Sequence, residues 1–423
     1  MSSTALEEAR RRDAADPLRS FIEEFHHPVD PAGRRLIYLC GHSLGLQSRS
    51  TAAYVEQELA DWRRLAVAGH HDARRPWIDY HERAAPGLAL LTGASESEVI
   101  AMNSLTVNLH LMMASFFRPG GARTRVLIEA GAFPSDRYAI AAQLAWHGLE
   151  ETHLIEASPR AGERCLRTED ILALIAREGP RLALVLWPGV QYLTGQSFDL
   201  PSIIAAARAV GAAVGLDLAH AIGNVPLALH DDGADFAVWC SYKYLNAGPG
   251  AIGGCFVHAR HARRRDLPRL AGWWGHDAAH RFEMRPQFEP MPGAAGWQVS
   301  NPPILSTAPL LASLELFARA DPARLSVKSH ALTACLEQAI NERLGRRVEI
   351  ITPAAPEARG AQLSVRLDLS RERAQRCHEL LKQAGVIHDW REPDVLRLAP
   401  VPLYNSFEDV IGAAAALEAA LAA

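Results

Sequence analysis

Asp217 and Lys243 each close a short apolar run. Val214-Gly215-Leu216 ends on Asp217, with His220 three residues on, and Phe236-Ala237-Val238-Trp239-Cys240 ends on Ser241-Tyr242-Lys243. Both runs read as buried strands, and ligands collect at the carboxyl ends of strands in an open parallel sheet. Neighbouring strand ends would then present a carboxylate and an amine to one pocket. That pair suits pyridoxal phosphate, whose aldehyde condenses with a lysine amine and whose pyridinium nitrogen pairs with an aspartate. The plainer alternative is a capping Asp217 and a solvated Lys243, as most such residues are. The apolar run ahead of Lys243 speaks against it, and Gly248, Gly250, Gly253 and Gly254 leave room for a ligand.

The elements around these residues follow from pattern. Apolar residues recur at helical spacing from Thr51 to about Val67, and helices are expected over Tyr80–Leu91 and Glu169–Glu178, with a new helix starting at Ser95-Glu96-Ser97-Glu98. Leu36–Leu39, Arg125–Glu129 and Leu182–Trp187 read as strands. Met102–His110 reads as a strand end turning into a helix, whose mouth carries Ser104 and Thr106. Free N–H groups there would suit a phosphate, although simple N-capping is the commoner use of such hydroxyls. No GxGxxG or Walker pattern occurs, which disfavours nucleotide binding of those kinds. Phe133, at the end of the strand before Pro134-Ser135-Asp136, would either stack on a flat ring or belong to the core. Gly69–Trp77 reads as an extended polar loop. Its His70 and His71 would point opposite ways with no carboxylate or thiol to complete a ligand set, so no metal is expected.

Alternation of helix and strand from about 95 to 260 predicts an α/β fold: a large domain with a mostly parallel sheet flanked by helices, plus a smaller α+β C-terminal domain. The expected division is an N-terminal segment over 1–50 packing with the small domain, a large domain over 51–310 and the small domain over 311–423. Arg397 lies inside the apolar run Val395–Pro400. A buried guanidinium needs a partner, which spacing leaves open between an internal carboxylate and a substrate carboxylate.

The chain has 423 residues, 48% hydrophobic and 22% charged, which is ordinary globular composition. A net charge of −4 offers no global attraction for nucleic acid or an anionic membrane. Six cysteines without CxxC spacing read as reduced thiols of a cytoplasmic protein, and no apolar run is long enough to span a bilayer.

Blocks from about Tyr38 to Asp409 resemble the kynureninase family of fold-type-I pyridoxal-phosphate enzymes. They are GHSLGLQ (41–47), RPW (75–77), LTVNLH (105–110), AFPSDRYAI (132–140), LDLAHAIGN (216–224), WCSYKYLNAG (239–248), GWWGH (272–276), SNPPIL (300–305) and RLAPVPLYNSF (397–407). The resemblance implies hydrolysis of L-kynurenine or L-3-hydroxykynurenine to anthranilate or 3-hydroxyanthranilate plus L-alanine, in tryptophan catabolism. It implies that Lys243 holds the cofactor and moves the α-proton. Asp217 pairs with the ring nitrogen beside His220, Phe133 stacks on the ring and Asp136 supports its polar edge. Leu105, Thr106, Tyr242, Trp273 and Asn301 hold the phosphate, the last two reaching over from the partner subunit of a homodimer. Tyr242 is also placed to shuttle a proton. Arg397 binds the substrate α-carboxylate, and His70, Ser300 and Asn301 match members that favour the 3-hydroxylated substrate. The sequence departs at His42, where the family more often has Asn, which touches the substrate-side hydrogen bonds. An aminotransferase or desulfurase on the same fold, or a catalytically dead interaction homologue, are the alternatives.

Overall fold

The computed structural model describes residues 3–423, so the first two residues of the expected N-terminal segment lie outside the described residues. A two-residue strand, β1 (Ile37–Tyr38), precedes seven strands that form the large sheet. These are β2 (Val99–Ala101), β3 (Arg125–Glu129), β4 (Leu154–Ala157), β5 (Leu182–Pro188), β6 (Ala213–Asp217), β7 (Phe236–Trp239) and β8 (Gly254–Val257). Their order is β2-β8-β7-β6-β5-β3-β4. Strands β4, β3, β5, β6 and β7 run parallel, and β8 is antiparallel to both of its neighbours.

Burial on both faces explains why these segments read as continuous apolar runs. Side chains alternate along each strand. Leu127, Val185, Trp187, Val214, Leu216, Ala237 and Trp239 enter one core with Ile171, Ile175, Ile203 and Leu310. Val126, Ile128, Leu184, Leu186, Phe236 and Val238 enter the opposite one with Leu109, Met112, Ile140 and Leu144. The helices that supply these partners include Leu105–Phe116, Pro134–Trp146, Thr168–Glu178 and Leu200–Ala209.

The C-terminal part adds β9 (Val348–Ile350), β10 (Leu363–Leu367), β11 (Val386–Ile387), β12 (Asp389–Arg391) and β13 (Val395–Leu398). Four of these make an antiparallel sheet of order β12-β13-β10-β9. Helices Pro322–Leu344, Arg371–Gln383 and Phe407–Ala422 back it, burying Leu332, Leu336, Ile340, Leu381, Val410 and Leu417 against Leu363, Val365, Leu396 and Leu398. The N-terminal segment joins both cores: Ala9 and Leu39 lie with the C-terminal sheet, whereas Phe21, Phe25 and Leu46 lie with the large sheet. Its β1 pairs in parallel with β11, Ile37 opposite Val386 and Tyr38 opposite Ile387.

Local expectations differ from the fold at several points. Ser95–Glu98 starts no α-helix. It is a capping box around one 3₁₀ turn, Glu96–Glu98, which feeds directly into β2. The Glu98 carboxylate is spent on the Ser95 and Ala259 N–H groups and on His230, so the acidic first turn serves tertiary contacts instead of a helix dipole. Gly69–Asp72 is one helical turn and not an extended loop, and the Tyr80–Leu91 helix begins as a 3₁₀ turn over Tyr80–Ala84 before Ala85–Thr92. Strands β4, β11 and β12 carry no pattern that marks them in the sequence, being two to four residues long and without strong alternation. Among the described residues no helix is long and apolar enough to cross a membrane, and all six cysteines are free thiols.

The turn at Gly41–Gly45 fixes the N-terminal segment against the loop after β7. The Gly45 N–H donates to the Tyr242 carbonyl at 2.8 Å. A Cβ at Gly45 would collide with Asn246 Oδ1 and with the Lys243 carbonyl oxygen, which is backbone and cannot swing away. Gly45→Ala is therefore expected to destabilise the protein by about 1–3 kcal/mol, read from the midpoint of denaturant unfolding at unchanged m-value.

Candidate active site

The large sheet places its crevice by topology. Within β4-β3-β5-β6-β7 the chain leaves β3 toward β4 on one side and returns to β5 on the other, so the order reverses between β3 and β5. Ligands bind outside the carboxyl ends of strands at such a switch point. A cleft of about 520 Å³ lies there. Its lining comes from each strand end in turn: Glu129, Phe133, Ser135 and Asp136 after β3, Pro188, Val190 and Tyr192 after β5, Asp217, Ala219 and His220 after β6, and Tyr242 and Lys243 after β7. Leu105 and Thr106, at the start of a helix, complete it. A larger hollow bounded by Leu91, Asn224, Phe317 and Pro402 carries no ionisable side chain.

The Lys243 Nζ lies 3.1 Å from His220 Nε2 and 5.9 Å from the centres of the Phe133 and Tyr242 rings. Burial first, then the Lys243 and Arg397 charges, hold His220 well below the usual imidazole range, so Nε2 accepts from the amine. Asp217 sits in register with Pro188 of β5 and Val238 of β7, which aims it into the cleft. One oxygen accepts from the Ala219 N–H at 2.6 Å, an Asx turn. The capping alternative is thus half met, but turns and not a helix follow over 219–224.

Asp136, in the first turn of the Pro134–Trp146 helix, is buried, and its Oδ1 has no hydrogen-bond partner. Burial and the Asp217 carboxylate push it well above the usual carboxylate range. Glu129, closing β3, is raised to about 8 by burial, with Asp217 and Glu156 adding to the shift. Three acidic groups thus meet in one part of the cleft that Lys243 also lines. A protonated ring nitrogen fits between them, since it supplies the cation and the N–H donor that this part lacks.

The helix mouth that lines the cleft also has unspent donors. Ser104, at the N-cap of the Leu105–Phe116 helix, makes no side-chain cap, which removes the capping alternative for it. The first-turn N–H groups therefore face the cleft at the positive end of a helix of 12 residues. Thr106 Oγ1 lies 2.9 Å from Ser135 Oγ. Burial raises the Tyr242 hydroxyl above its usual range, so it stays protonated and can donate. A flat ring carrying an aldehyde, a basic nitrogen and a phosphate fits the amine, the carboxyl cluster and the helix mouth that line the cleft.

Phe133 is 42% exposed at the lip, its ring edge-on to Tyr192 at 5.2 Å, and so belongs to the cleft and not to the core. Arg397 is fully buried. Its Nε donates to Asp389 at 2.7 Å, its Nη1 donates to the Tyr192 carbonyl at 2.7 Å, and its Nη2 makes no hydrogen bond among the described residues. The internal carboxylate partner is therefore present, and Arg397 touches the cleft only through the carbonyl of Tyr192; neither Arg397 nor the buried His42 lines it. His70, packed edge-on to Trp77, does not line the cleft, nor do the exposed Trp273, Ser300 and Asn301. His70 and His71 join no cluster of metal-ligating atoms among the described residues. Sequence reasoning passed over Glu129, Ser135, Tyr192 and Asp389. Glu129 carried the same signal as Asp217, an acid closing an apolar strand, whereas Asp389 carried none.

The architecture is that of the fold-type-I pyridoxal-phosphate enzymes. A mutant of C-DES with glycine covalently linked to its PLP cofactor superposes with a TM-score of 0.77 at 17% identity, covering 94% of this chain and 98% of that one. The cysteine desulfurase CsdA of Escherichia coli gives 0.76 at 17% identity over 96% and 98%. Within that class, sequence narrows the family. Residues 325–417 match the family model for the kynureninase C-terminal domain. Kynureninase of Xanthomonas campestris pv. campestris (strain B100) is 58% identical over 94% of each chain, and that of Xanthomonas oryzae pv. oryzae (strain PXO99A) is 57% identical over the same shares. The chain is an enzyme of the kynureninase family.

The carboxyl cluster makes a pH prediction for the cofactor-free protein. Folded Glu129 holds its proton up to about pH 8, whereas the unfolded chain releases it near 4.5. The folded state binds more protons between those values, so stability is full below about 4.5 and is lost as pH rises through 8. Glu129→Gln is expected to flatten that slope, measured as urea midpoints of the cofactor-free protein between pH 5 and about 8.5.

Proposed function

We propose that the protein hydrolyses L-kynurenine, L-3-hydroxykynurenine or both, giving anthranilate or 3-hydroxyanthranilate and L-alanine, with pyridoxal phosphate as cofactor. The observation that carries this reading is the switch-point cleft that gathers the Lys243 amine with the buried carboxyl groups of Asp136 and Asp217, in a chain of this family. Bound pyridoxal phosphate supplies the electron sink for the α-carbon.

The protein's own residues do the rest. Lys243 Nζ, beside neutral His220, takes the α-proton. Asp217 and Asp136 keep a proton on the ring nitrogen. Arg397, oriented by Asp389 and the Tyr192 carbonyl, receives the α-carboxylate. Water then adds to the side-chain carbonyl and the Cβ–Cγ bond breaks. The protonated Tyr242 hydroxyl binds phosphate and stands ready to give a proton to the carbon left behind. Leu105 and Thr106 bind the phosphate at the helix mouth, and Phe133 covers the ring.

The reading extends to assembly. The protein works as a cytoplasmic homodimer, and Trp273 and Asn301 complete the phosphate site of the partner subunit. Their exposure, away from this chain's own cleft, supports that role. His70, Ser300 and Asn301 favour the 3-hydroxylated substrate, and the chain divides into segments 1–50, 51–310 and 311–423.

Purified, cofactor-loaded protein given L-kynurenine and L-3-hydroxykynurenine in parallel is expected to release fluorescent anthranilates with matching alanine, and absence of both products from both substrates would sink the reading. Lys243→Ala is expected to lower kcat by about 10³-fold or more. Shared sites make a sharper expectation. Lys243→Ala and Asn301→Ala proteins, each inactive alone, should recover about a quarter of wild-type activity after 1:1 subunit exchange, because a mixed dimer of isologous symmetry holds one intact site. No recovery, with exchange confirmed by mass spectrometry, would place Asn301 in its own subunit's site.

A further inference from the structure

The segment after β5 is tied down on two sides. Three successive carbonyls in it accept from side chains of the C-terminal part. Tyr192 O takes Arg397 Nη1 at 2.7 Å and Gln362 Nε2 at 3.0 Å, Leu193 O takes Gln362 Nε2 at 3.2 Å and the Ser364 hydroxyl, and Thr194 O takes the Thr352 hydroxyl at 2.6 Å. On the other side Gln191 Oε1 accepts from the Leu193 and Thr194 N–H groups at 2.6 and 2.8 Å. Its Nε2 donates to the Gly131 carbonyl at 3.1 Å, two residues ahead of Phe133. Gly195 turns with a φ of +74°, and a Cβ there would press on the Gln362 carbonyl oxygen. The backbone of Tyr192 is thereby fixed, and none of these bonds uses its side chain.

The ring so placed is half-buried and lines the cleft. It meets Phe133 almost at right angles, centres 5.2 Å apart and planes at 82°, and the Phe133 ring centre is 5.9 Å from Lys243 Nζ. The Arg391 guanidinium carbon stands 5.8 Å from the Tyr192 ring centre, where it steadies the ring from outside the lining. Pro188 and Val190, which precede Tyr192 on the lining, are apolar, so the end of β5 gives the cleft an apolar wall while the acids come from β3 and β6. Two aromatic rings at right angles form a corner, and a third flat ring gains contact by setting an edge or a face against them.

We infer that the Tyr192 ring packs against the aryl group of the substrate and so determines specificity for an aromatic side chain. This rests on the reading of the cleft as one that takes an aryl-ketone amino acid, and it deepens that reading by naming a residue that recognises the aryl half. Phenylalanine at this position would keep the contact. Leucine would keep apolar area and lose the ring.

The test divides the substrate into its two halves. Cofactor-loaded wild type, Tyr192→Phe and Tyr192→Leu are titrated by calorimetry with 2-aminoacetophenone, which has the aryl ketone without the amino-acid group, and with L-alanine, which has the reverse. Binding of pyridoxal phosphate to the cofactor-free proteins is followed by absorbance. Tyr192→Leu is expected to weaken 2-aminoacetophenone about 5-fold or more, with L-alanine and pyridoxal phosphate each shifted less than about 2-fold. Tyr192→Phe should stay within about 2-fold of wild type for all three. No binding of the aryl ketone to wild type, or binding unchanged in Tyr192→Leu, would overturn the inference. So would equal weakening of L-alanine, a loss confined to pyridoxal phosphate, or a loss in Tyr192→Phe as large as that in Tyr192→Leu. None of these titrations depends on cleavage. Proteins that show the expected pattern but release no anthranilate from L-kynurenine would sink the proposed reaction and leave this inference standing.

Discussion

Three buried carboxyl groups at one end of the cleft cannot all carry charge without a cation between them. Glu129 closes β3, Asp217 closes β6 and Asp136 opens the helix that follows β3. Only a parallel sheet brings the ends of β3 and β6 to the same edge, and only the order reversal between β3 and β5 opens a crevice there. The cluster is therefore strained electrostatically: burial and mutual repulsion hold protons on Glu129 and Asp136 that they would shed in water. A guest with a protonated ring nitrogen relieves that strain, so its binding and the stability of the fold are thermodynamically linked. Lys243 lines the same cleft, and His220, 3.1 Å from its amine, is kept neutral by burial and by the neighbouring cationic side chains.

A second constraint ties the C-terminal sheet to this cleft. Arg397 points from β13 toward the large sheet, where Asp389 of β12 and the Tyr192 carbonyl after β5 share its guanidinium. A buried guanidinium held by one full charge and one dipole keeps an end available without becoming an uncompensated ion. The N-terminal segment closes the third side: β1 lies along β11, and the Gly41–Gly45 turn then reaches the Lys243 loop. The substrate end of the cleft is thus assembled from three stretches of chain far apart in sequence, each anchored by backbone hydrogen bonding, not by side-chain packing alone.

That arrangement explains what the sequence disclosed and what it withheld. The strands of the large sheet are legible because burial on both faces leaves unbroken apolar runs, and an acid or a lysine closing such a run is conspicuous. Asp217 and Lys243 pair on that signal alone, since each ends a run that only a buried strand would carry. Arg397 is legible as a buried charge, but its partner is not, because Asp389 sits on a three-residue strand with no pattern of its own. Ser95–Glu98 misleads for a physical reason: a capping box satisfies the first N–H groups of any helical turn, whether or not the helix continues. Glu129 escapes notice although its signal equals that of Asp217. Its role emerges only from the register that sets it beside two other acids.

The scaffold does not by itself choose the chemistry. Cysteine desulfurases share the fold at TM-scores near that of the C–S lyase, and at such low identity the likeness covers backbone alone. Sulfur transfer by a protein thiol needs a thiolate that can approach the substrate. Here Cys40, whose sulfur lies within 4.8 Å of an Asp389 oxygen, is pushed up to about 11 by burial and by Asp389, and it is fastened in the bridge to Ala399. Burial also raises Cys240 at the end of β7. Asp389 thus acts twice: it fixes the Arg397 guanidinium and disfavours a negative sulfur at its side. One half-buried acid in the C-terminal sheet thus holds a guanidinium and keeps the neighbouring thiol protonated, which agrees with the family that the sequence identifies.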